Sequence, residues 1–349
     1  MRKDKKIITV AVLCLTTLVG SVQGIASAQV QVPTSTGKCT EVKLKAGDYE
    51  MSNIFQEWHE TFASYYKDED GINQKAIYNI KENSWSTEMV EDTSMNVDGE
   101  KVYYTIYPTK NGYAEVAPDS SRVILRNDEG KKMRKQKFAK IKGWKKKYAV
   151  KDMSQISKNR YLFICQTGKK KAPQAVCVNI KTKKVVWKIK NVSDTYEIIG
   201  DEIYFYQFQM KNIGIAGKSS DMIYKYDLKY GTKCKCLDST IDATDIRNRI
   251  PQLHGQQTED AYPITDQEIV IAGYDGKLYA AYMSGIYVYE DRTRTWKCLV
   301  DGANDTNYSL RSGKTIVDFI PISEREFYTL SSHGNYDGEV TNFIKYWAN

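Results

Sequence analysis

From about residue 50 onward, short apolar runs alternate with polar turns in a repeated order. The clearest unit is Val176-Cys177-Val178-Asn179, a Lys-Thr-Lys turn, then Lys184-Val185-Val186-Trp187. It reads as strand, tight turn and strand, with Val, Ile and Tyr set against Lys and Asp as half-buried antiparallel strands require. The same unit ends at Asn79 (Ala76-Ile77-Tyr78), at Asn127 (Ile124-Leu125-Arg126), at Asp227 (Ile223-Tyr224-Lys225-Tyr226) and at Glu290 (Ile286-Tyr287-Val288-Tyr289), with a broken copy at Phe343-Ile344-Lys345-Tyr346-Trp347. A second element, a polar turn followed by a short apolar strand, precedes the copies. It occurs at Asp98–Tyr104, Lys158–Phe163, Gly200–Phe205, Pro263–Ile271 and Pro321–Thr329, and the last two match position by position.

Successive copies lie 48, 52, 48, 63 and 57 residues apart. Periods near 40–50 residues belong to propeller blades, and a hairpin that cannot bury its apolar face alone must stack on its neighbours. The expected fold is therefore an all-β propeller of about six irregular four-stranded blades, with seven as the runner-up count. An irregular β-sandwich is the competing architecture. The last copy stops after a third strand. An N-terminal strand at Glu41–Lys45 is expected to complete that sheet, closing the ring and covering an edge.

Val178-Asn179, Thr182-Lys183 and Trp187 resemble the core of the pyrroloquinoline-quinone-type propeller repeat, in which an apolar residue and Asp precede a Thr-Gly-Lys turn and a Trp. Here Asn stands for the Asp and Lys for the Gly. The weaker copies keep Tyr226-Asp227 with Tyr230-Gly231-Thr232, and Tyr289-Glu290 with Thr293 and Trp296. The resemblance implies a propeller, and it does not imply the quinone. No cofactor and no metal are expected.

Residues 1–28 read as a secretory signal peptide. Arg2, Lys3, Lys5 and Lys6 precede an apolar run at Ile7–Gly20, and Ala26-Ser27-Ala28 is a small-residue cleavage site. Residues 29–39 read as a Pro-, Ser- and Thr-containing linker and 40–349 as a single domain. The expected location is secreted or associated with the cell envelope, with no transmembrane segment after cleavage. Without residues 1–28 the chain keeps 47 basic and 42 acidic residues, a net +5.

That modest charge is unevenly spread. Residues 131–151 carry eleven cations and no acid, among them Lys131, Lys132, Arg134, Lys135, Lys145, Lys146 and Lys147. Such a face attracts polyanions. The plainer reading is a solvated outer strand whose lysines guard an edge. Six cysteines remain after cleavage; Cys165 and Cys177 flank one hairpin and form a candidate disulfide, and buried free thiols are the alternative.

No Gly-x-Ser-x-Gly, His-Glu-x-x-His, P-loop or dinucleotide pattern is present. His254, in a polar insertion at 239–262, and His333, in a turn-rich stretch, are the candidate acid–base residues. The sequence favours a secreted, non-catalytic binding propeller that engages an anionic envelope polymer, a glycan or an extracellular protein, without specific nucleic-acid recognition. The alternative is a glycan-active hydrolase or lyase at the propeller mouth.

Overall fold

The computed structural model describes residues 38–42, 55–58, 61–68, 70–82, 84–90, 93–169, 171–211, 218–234, 239–248, 269–282, 285–300, 314–335 and 338–347. The protein is an all-β propeller. Five four-stranded sheets are each built from four consecutive strands paired in chain order. Sheet 1 holds β2 (Phe55–Trp58), β3 (Thr61–Lys67), β4 (Asn73–Asn79) and β5 (Ser84–Met89). A two-stranded hairpin follows, β6 (Ser94–Val97) and β7 (Glu100–Tyr103). Sheet 2 holds β8 (Thr105–Thr109), β9 (Gly112–Val116), β10 (Arg122–Arg126) and β11 (Lys132–Lys137). Sheet 3 holds β12 (Ala149–Ser157), β13 (Arg160–Gln166), β14 (Gln174–Asn179) and β15 (Lys184–Lys190). Sheet 4 holds β16 (Tyr196–Ile199), β17 (Glu202–Lys211), β18 (Lys218–Asp227) and β19 (Thr240–Asp242), and a short helix, α1 (Thr244–Asn248), follows it. Sheet 5 holds β20 (Val270–Tyr274), β21 (Lys277–Tyr282), β22 (Gly285–Glu290) and β23 (Thr295–Val300).

A further four-stranded sheet joins the two ends of the described chain. Its order is β1 (Lys38–Val42), β26 (Gly338–Trp347), β25 (Glu326–Asn335) and β24 (Lys314–Pro321). Strand β1 runs antiparallel to β26, with Lys38 opposite Trp347 and Val42 opposite Phe343. It begins inside the stretch expected to be linker and three residues before the expected strand.

The repeat has a local cause. In four copies the polar residue that ends the third strand, or in the case of Asn127 directly follows it, caps the turn with its own side chain. Oδ1 of Asn79 accepts the N–H of Lys81 at 3.0 Å, Asn127 that of Lys131 at 2.8 Å, Asn179 that of Thr182 at 3.0 Å and Asp227 that of Tyr230 at 2.7 Å. Asn and Asp are the residues that make this bond readily, so their spacing reports the sheets.

The second element is less uniform. Lys158–Phe163 and Gly200–Phe205 do lead into second strands. Asp98–Tyr104 instead forms the turn and second strand of the extra β6–β7 hairpin. The match between Pro263–Ile271 and Pro321–Thr329 is corrected too: Val270 and Ile271 lie in a first strand, β20, whereas Phe327–Thr329 lie in a second strand, β25. First and second strands are both buried and β-rich, so their patterns look alike.

Packing explains the continuous apolar runs. In sheet 3, Tyr161, Phe163, Cys165, Val176 and Val178 pack with Val116, Val123 and Phe138 of the sheet 2 side. The alternate residues Leu162, Ile164, Ala175, Cys177 and Trp187 pack with Ile203, Phe205 and Leu228 of the sheet 4 side. Both faces are covered, so the strand shows no polar alternation. Burying each of the Val, Leu, Ile and Phe side chains in these two clusters contributes about 1.5–3 kcal/mol. Further clusters join sheet 4 to sheet 5, sheet 5 to the terminal sheet, and the terminal sheet to sheet 1, where Tyr328 and Leu330 meet Phe62 and Tyr78.

The candidate Cys165–Cys177 disulfide is not formed. Cys165 lies opposite Gln174 and Cys177 opposite Leu162, so the two thiols sit on opposite faces of sheet 3. Both are free and buried.

Candidate functional site: an acid-lined axial cavity

The first strands of all six four-stranded sheets converge on one cavity of about 740 Å³. Strand β2 contributes Phe55 and Gln56, β8 Pro108 and Thr109, β12 Asp152 and Ser154, β16 Tyr196 and Glu197, β20 Val270 and Ile271, and β24 Asp318. Lys110 and Asp194 border it at strand ends. Four carboxylates therefore face a space with a single lining cation.

Two of these acids reach the cavity by the same local device. Strand β12 shifts register between Val150 and Asp152, and β24 shifts between Ile316 and Asp318. A bulge re-aims the residue beside it. In each case the carboxylate then accepts the next backbone N–H, Met153 to Asp152 at 2.6 Å and Phe319 to Asp318 at 2.9 Å. Met153 and Phe319 themselves are buried. The bulge thus turns the acid to the cavity while the next residue anchors the strand.

The acids are electrostatically coupled. Burial pushes the Asp152 carboxyl up, and the Asp194 charge adds to this, against hydrogen bonds from the Met153 N–H and the Tyr196 hydroxyl. Tyr196 Oη also lies 2.6 Å from Ser154 Oγ, making a chain of Asp152, Tyr196 and Ser154 across β12 and β16. Burial, then the Asp152 charge, hold the Tyr196 hydroxyl well above its ordinary value, so it stays protonated and can donate. Glu197 is pushed up to about 8, first by burial and then by the Asp318 charge. Perturbed carboxyls clustered in a concave site are a recognised sign of function. Among the described residues no group of three His, Cys, Asp or Glu side chains could hold a metal ion.

The walls are tied together. Tyr107 Oη donates to the Lys151 carbonyl at 2.9 Å, and the Lys110 N–H donates to Gln155 Oε1 at 2.9 Å, linking β8 to β12. Glu197 Oε1 lies close to Gly273 of β20, where an added Cβ would stand 3.4 Å from it.

The residues singled out from the sequence lie elsewhere. His254 is outside the described residues, and so is the side chain of His333, whose backbone pairs with Lys314 and Val340 in the terminal sheet. Residues 1–28, and with them the expected signal peptide, are also outside the described residues. The insertion expected at 239–262 is corrected at its start: residues 240–242 are the fourth strand of sheet 4. Lys131, Lys132, Arg134 and Lys135 are exposed at and on β11, the outermost strand of sheet 2, and Lys145, Lys146 and Lys147 are exposed in the loop between β11 and β12; none of the seven lines the cavity. The four cavity acids were missed. Their signal is an acid that interrupts a β-branched first strand, as in Ile316-Val317-Asp318-Phe319.

No protein-family model matches the chain, and no curated protein matches it. Solved structures do. A luciferin-regenerating enzyme aligns over 90% of this chain and 95% of its own at 10% identity, with a TM-score of 0.48. The Dos1 propeller aligns over 89% and 94% at 11% identity, TM-score 0.45. The β-propeller domain of the trilobed protease from Pyrococcus furiosus aligns over 86% and 96% at 10% identity, TM-score 0.40.

Proposed function

We propose that this chain is an exported, non-catalytic binding propeller that takes a small amine-bearing ligand in its axial cavity. In this reading the terminal sheet serves as a sixth blade and the β1–β26 pairing closes the ring. The observation that carries it is the convergence of Asp152, Asp194, Glu197 and Asp318 on one cavity of about 740 Å³ whose lining holds one cation, Lys110. That volume lies within the range of small-molecule sites. Facing carboxylates raise one another's proton affinity, and a bound ammonium group relieves that repulsion and gains charge-assisted hydrogen bonds. Export is supported by the basic start and apolar run of residues 1–28.

Calorimetry of the protein with diamines, amino sugars, neutral sugars and sugar acids tests this. Amines are expected to bind, and neutral and acidic sugars are not. Asp318→Asn and Asp152→Asn are each expected to weaken amine binding roughly 10- to 100-fold, the loss of one hydrogen bond to a charged group. Absence of amine binding would overturn the reading.

One observation favours a second reading. Glu197, protonated near neutrality beside an acid that raises it, has the character of a general acid in glycan cleavage. Turnover of a glycan that is lost in both Glu197→Gln and Asp318→Asn would establish the hydrolase or lyase in place of the binding module.

A further inference from the structure

The cations of residues 131–151 lie on a braced surface. Strand β11 ends in a single 3-10 turn, Phe138–Lys140, whose Phe138 is buried. Trp144 stacks on Phe138 at 4.2 Å, and both meet Phe163 of sheet 3 edge-on. The loop then joins the next sheet through its backbone. The Lys142 N–H donates to the Lys183 carbonyl at 2.9 Å, and the Val185 N–H donates to the Lys142 carbonyl at 3.0 Å. Lys188 Nζ donates to the Gly143 carbonyl at 2.6 Å. An aromatic plug and a short β-bridge thus fix the loop across the gap between sheets 2 and 3.

This bracing merges two cationic segments into one. Lys142 meets the β14–β15 turn, which presents Lys181, Lys183 and Lys184, and the loop then runs parallel to β15, carrying Lys145, Lys146 and Lys147 on toward Lys188; these six turn and loop lysines are all exposed. The nearness is felt: besides burial, the Lys145 charge lowers the proton affinity of Lys188. Among the described residues none of the cations at 131–151 is in an ion pair. A rigid cluster of like charges without acids is unfavourable alone and is relieved by a polyanion that displaces its counterions.

The composition of the patch narrows the partner. Ten of the eleven cations are Lys, which acts as a point charge, and one is Arg, which could read a base edge. Of the patch aromatics, Phe138 and Tyr148 are buried, Trp144 stacks on Phe138 and meets Tyr148 edge-on, and Lys188 lies over the Tyr148 ring, so they offer no stacking platform for successive nucleobases. Its two exposed large apolar side chains, Met133 and Val186, sit on different strands and form no wedge for a bilayer. A rim that turns from one sheet to the next suits a flexible chain better than a flat membrane. We propose that this rim binds a linear, base-free polyanion bearing phosphate or sulfate groups along its length.

The test is a salt titration of binding by the full chain. The probes are inorganic polyphosphate, a sulfated polysaccharide, poly(dT) of matched charge, and vesicles containing phosphatidylglycerol. Polyphosphate and the sulfated chain are expected to bind, with log affinity falling linearly in log salt. The Lys145→Gln/Lys146→Gln/Lys147→Gln variant is expected to lose at least about tenfold in affinity near 0.1 M salt and to shallow the slope by about 2–3. Because these side chains are exposed, the variant keeps its thermal midpoint. Asp152→Asn leaves polyanion binding unchanged. Binding to neither polyanion, an unaffected triple variant, tighter binding of poly(dT), or binding to vesicles alone would each overturn the proposal.

Discussion

Glu197, on the first strand of sheet 4, has its carboxyl pushed up to about 8 by burial first and then by the charge of Asp318, on the first strand of the terminal sheet. The consequence for stability has a definite sign. Between the ordinary carboxyl value of 4.5 and about 8, the folded protein keeps a proton at Glu197 that the unfolded chain has released. Stability from this group is fully present below about 4.5, falls as pH rises through that window, and levels off above about 8. Urea unfolding from pH 5 to 9 is expected to show a smaller decline in Glu197→Gln than in the parent. In Asp318→Asn the decline is expected to stop at a lower pH. Parallel curves for the parent and Glu197→Gln would show that Glu197 is not held protonated.

Sheets 3 and 4 are joined at one indole. Trp187 Nε1 donates to the Leu228 carbonyl at 2.9 Å, and its ring covers Gly231, which has φ +65°. A Cβ at Gly231 would stand 2.6 Å from the ring. Gly231→Ala combines that clash with a strained backbone and is expected to cost about 2–4 kcal/mol in urea unfolding. Trp187→Phe loses the hydrogen bond and buried volume and is expected to cost about 1–3 kcal/mol. A neutral Gly231→Ala would show that the indole does not pack there.

A buried ion pair inside sheet 2, between β9 and β10, also holds Thr93, the residue before β6. Arg126 Nε donates to Glu115 Oε2 at 3.0 Å, Thr93 Oγ1 donates to the same oxygen at 3.0 Å, and Arg126 also reaches the Gly130 carbonyl. Burial raises Glu115, and Arg126 opposes that rise. Removing one partner strands the other. Arg126→Met is expected to cost about 3–5 kcal/mol, and the double change Glu115→Met/Arg126→Met less than either single change summed. Strict additivity in that cycle would contradict a coupled pair.

Cys165 and Cys177 are expected to stay reduced. Burial pushes both thiols up, Cys177 to about 12, so little thiolate forms near neutrality. Alkylation of the native protein is expected to spare both and, among Cys165, Cys177, Cys234 and Cys298, to label the half-buried Cys234 first. Peptide mapping without reductant checks the pairing directly, and a linked Cys165–Cys177 peptide would contradict the opposite-face placement.

The sequence revealed most where one residue does a local job. Asn79, Asn127, Asn179 and Asp227 make their own turns, so their spacing exposed the sheets without any knowledge of the tertiary fold. The cavity was not legible in that way. Its walls come from residues 55 to 318, and Asp152 and Asp318 turn inward because of bulges that depend on the partner strand. The same limit explains Asp98–Tyr104: a polar turn before an apolar strand does not say whether the strand joins a blade or an added hairpin. The two cysteines failed as a pair for a related reason, since flanking a hairpin does not fix which face a side chain takes.

The most direct measurement is calorimetry of amine binding near pH 7.5 in two buffers of different ionisation enthalpy. If the ammonium group enters among Asp152, Glu197 and Asp318, Glu197 loses its raised proton on binding, and the observed heat shifts with the buffer by a fraction of one proton released. That shift is expected to disappear in Glu197→Gln while binding itself persists. Tight amine binding with no proton release in the parent, or with the same release in Glu197→Gln, would place the ligand away from the axial acids.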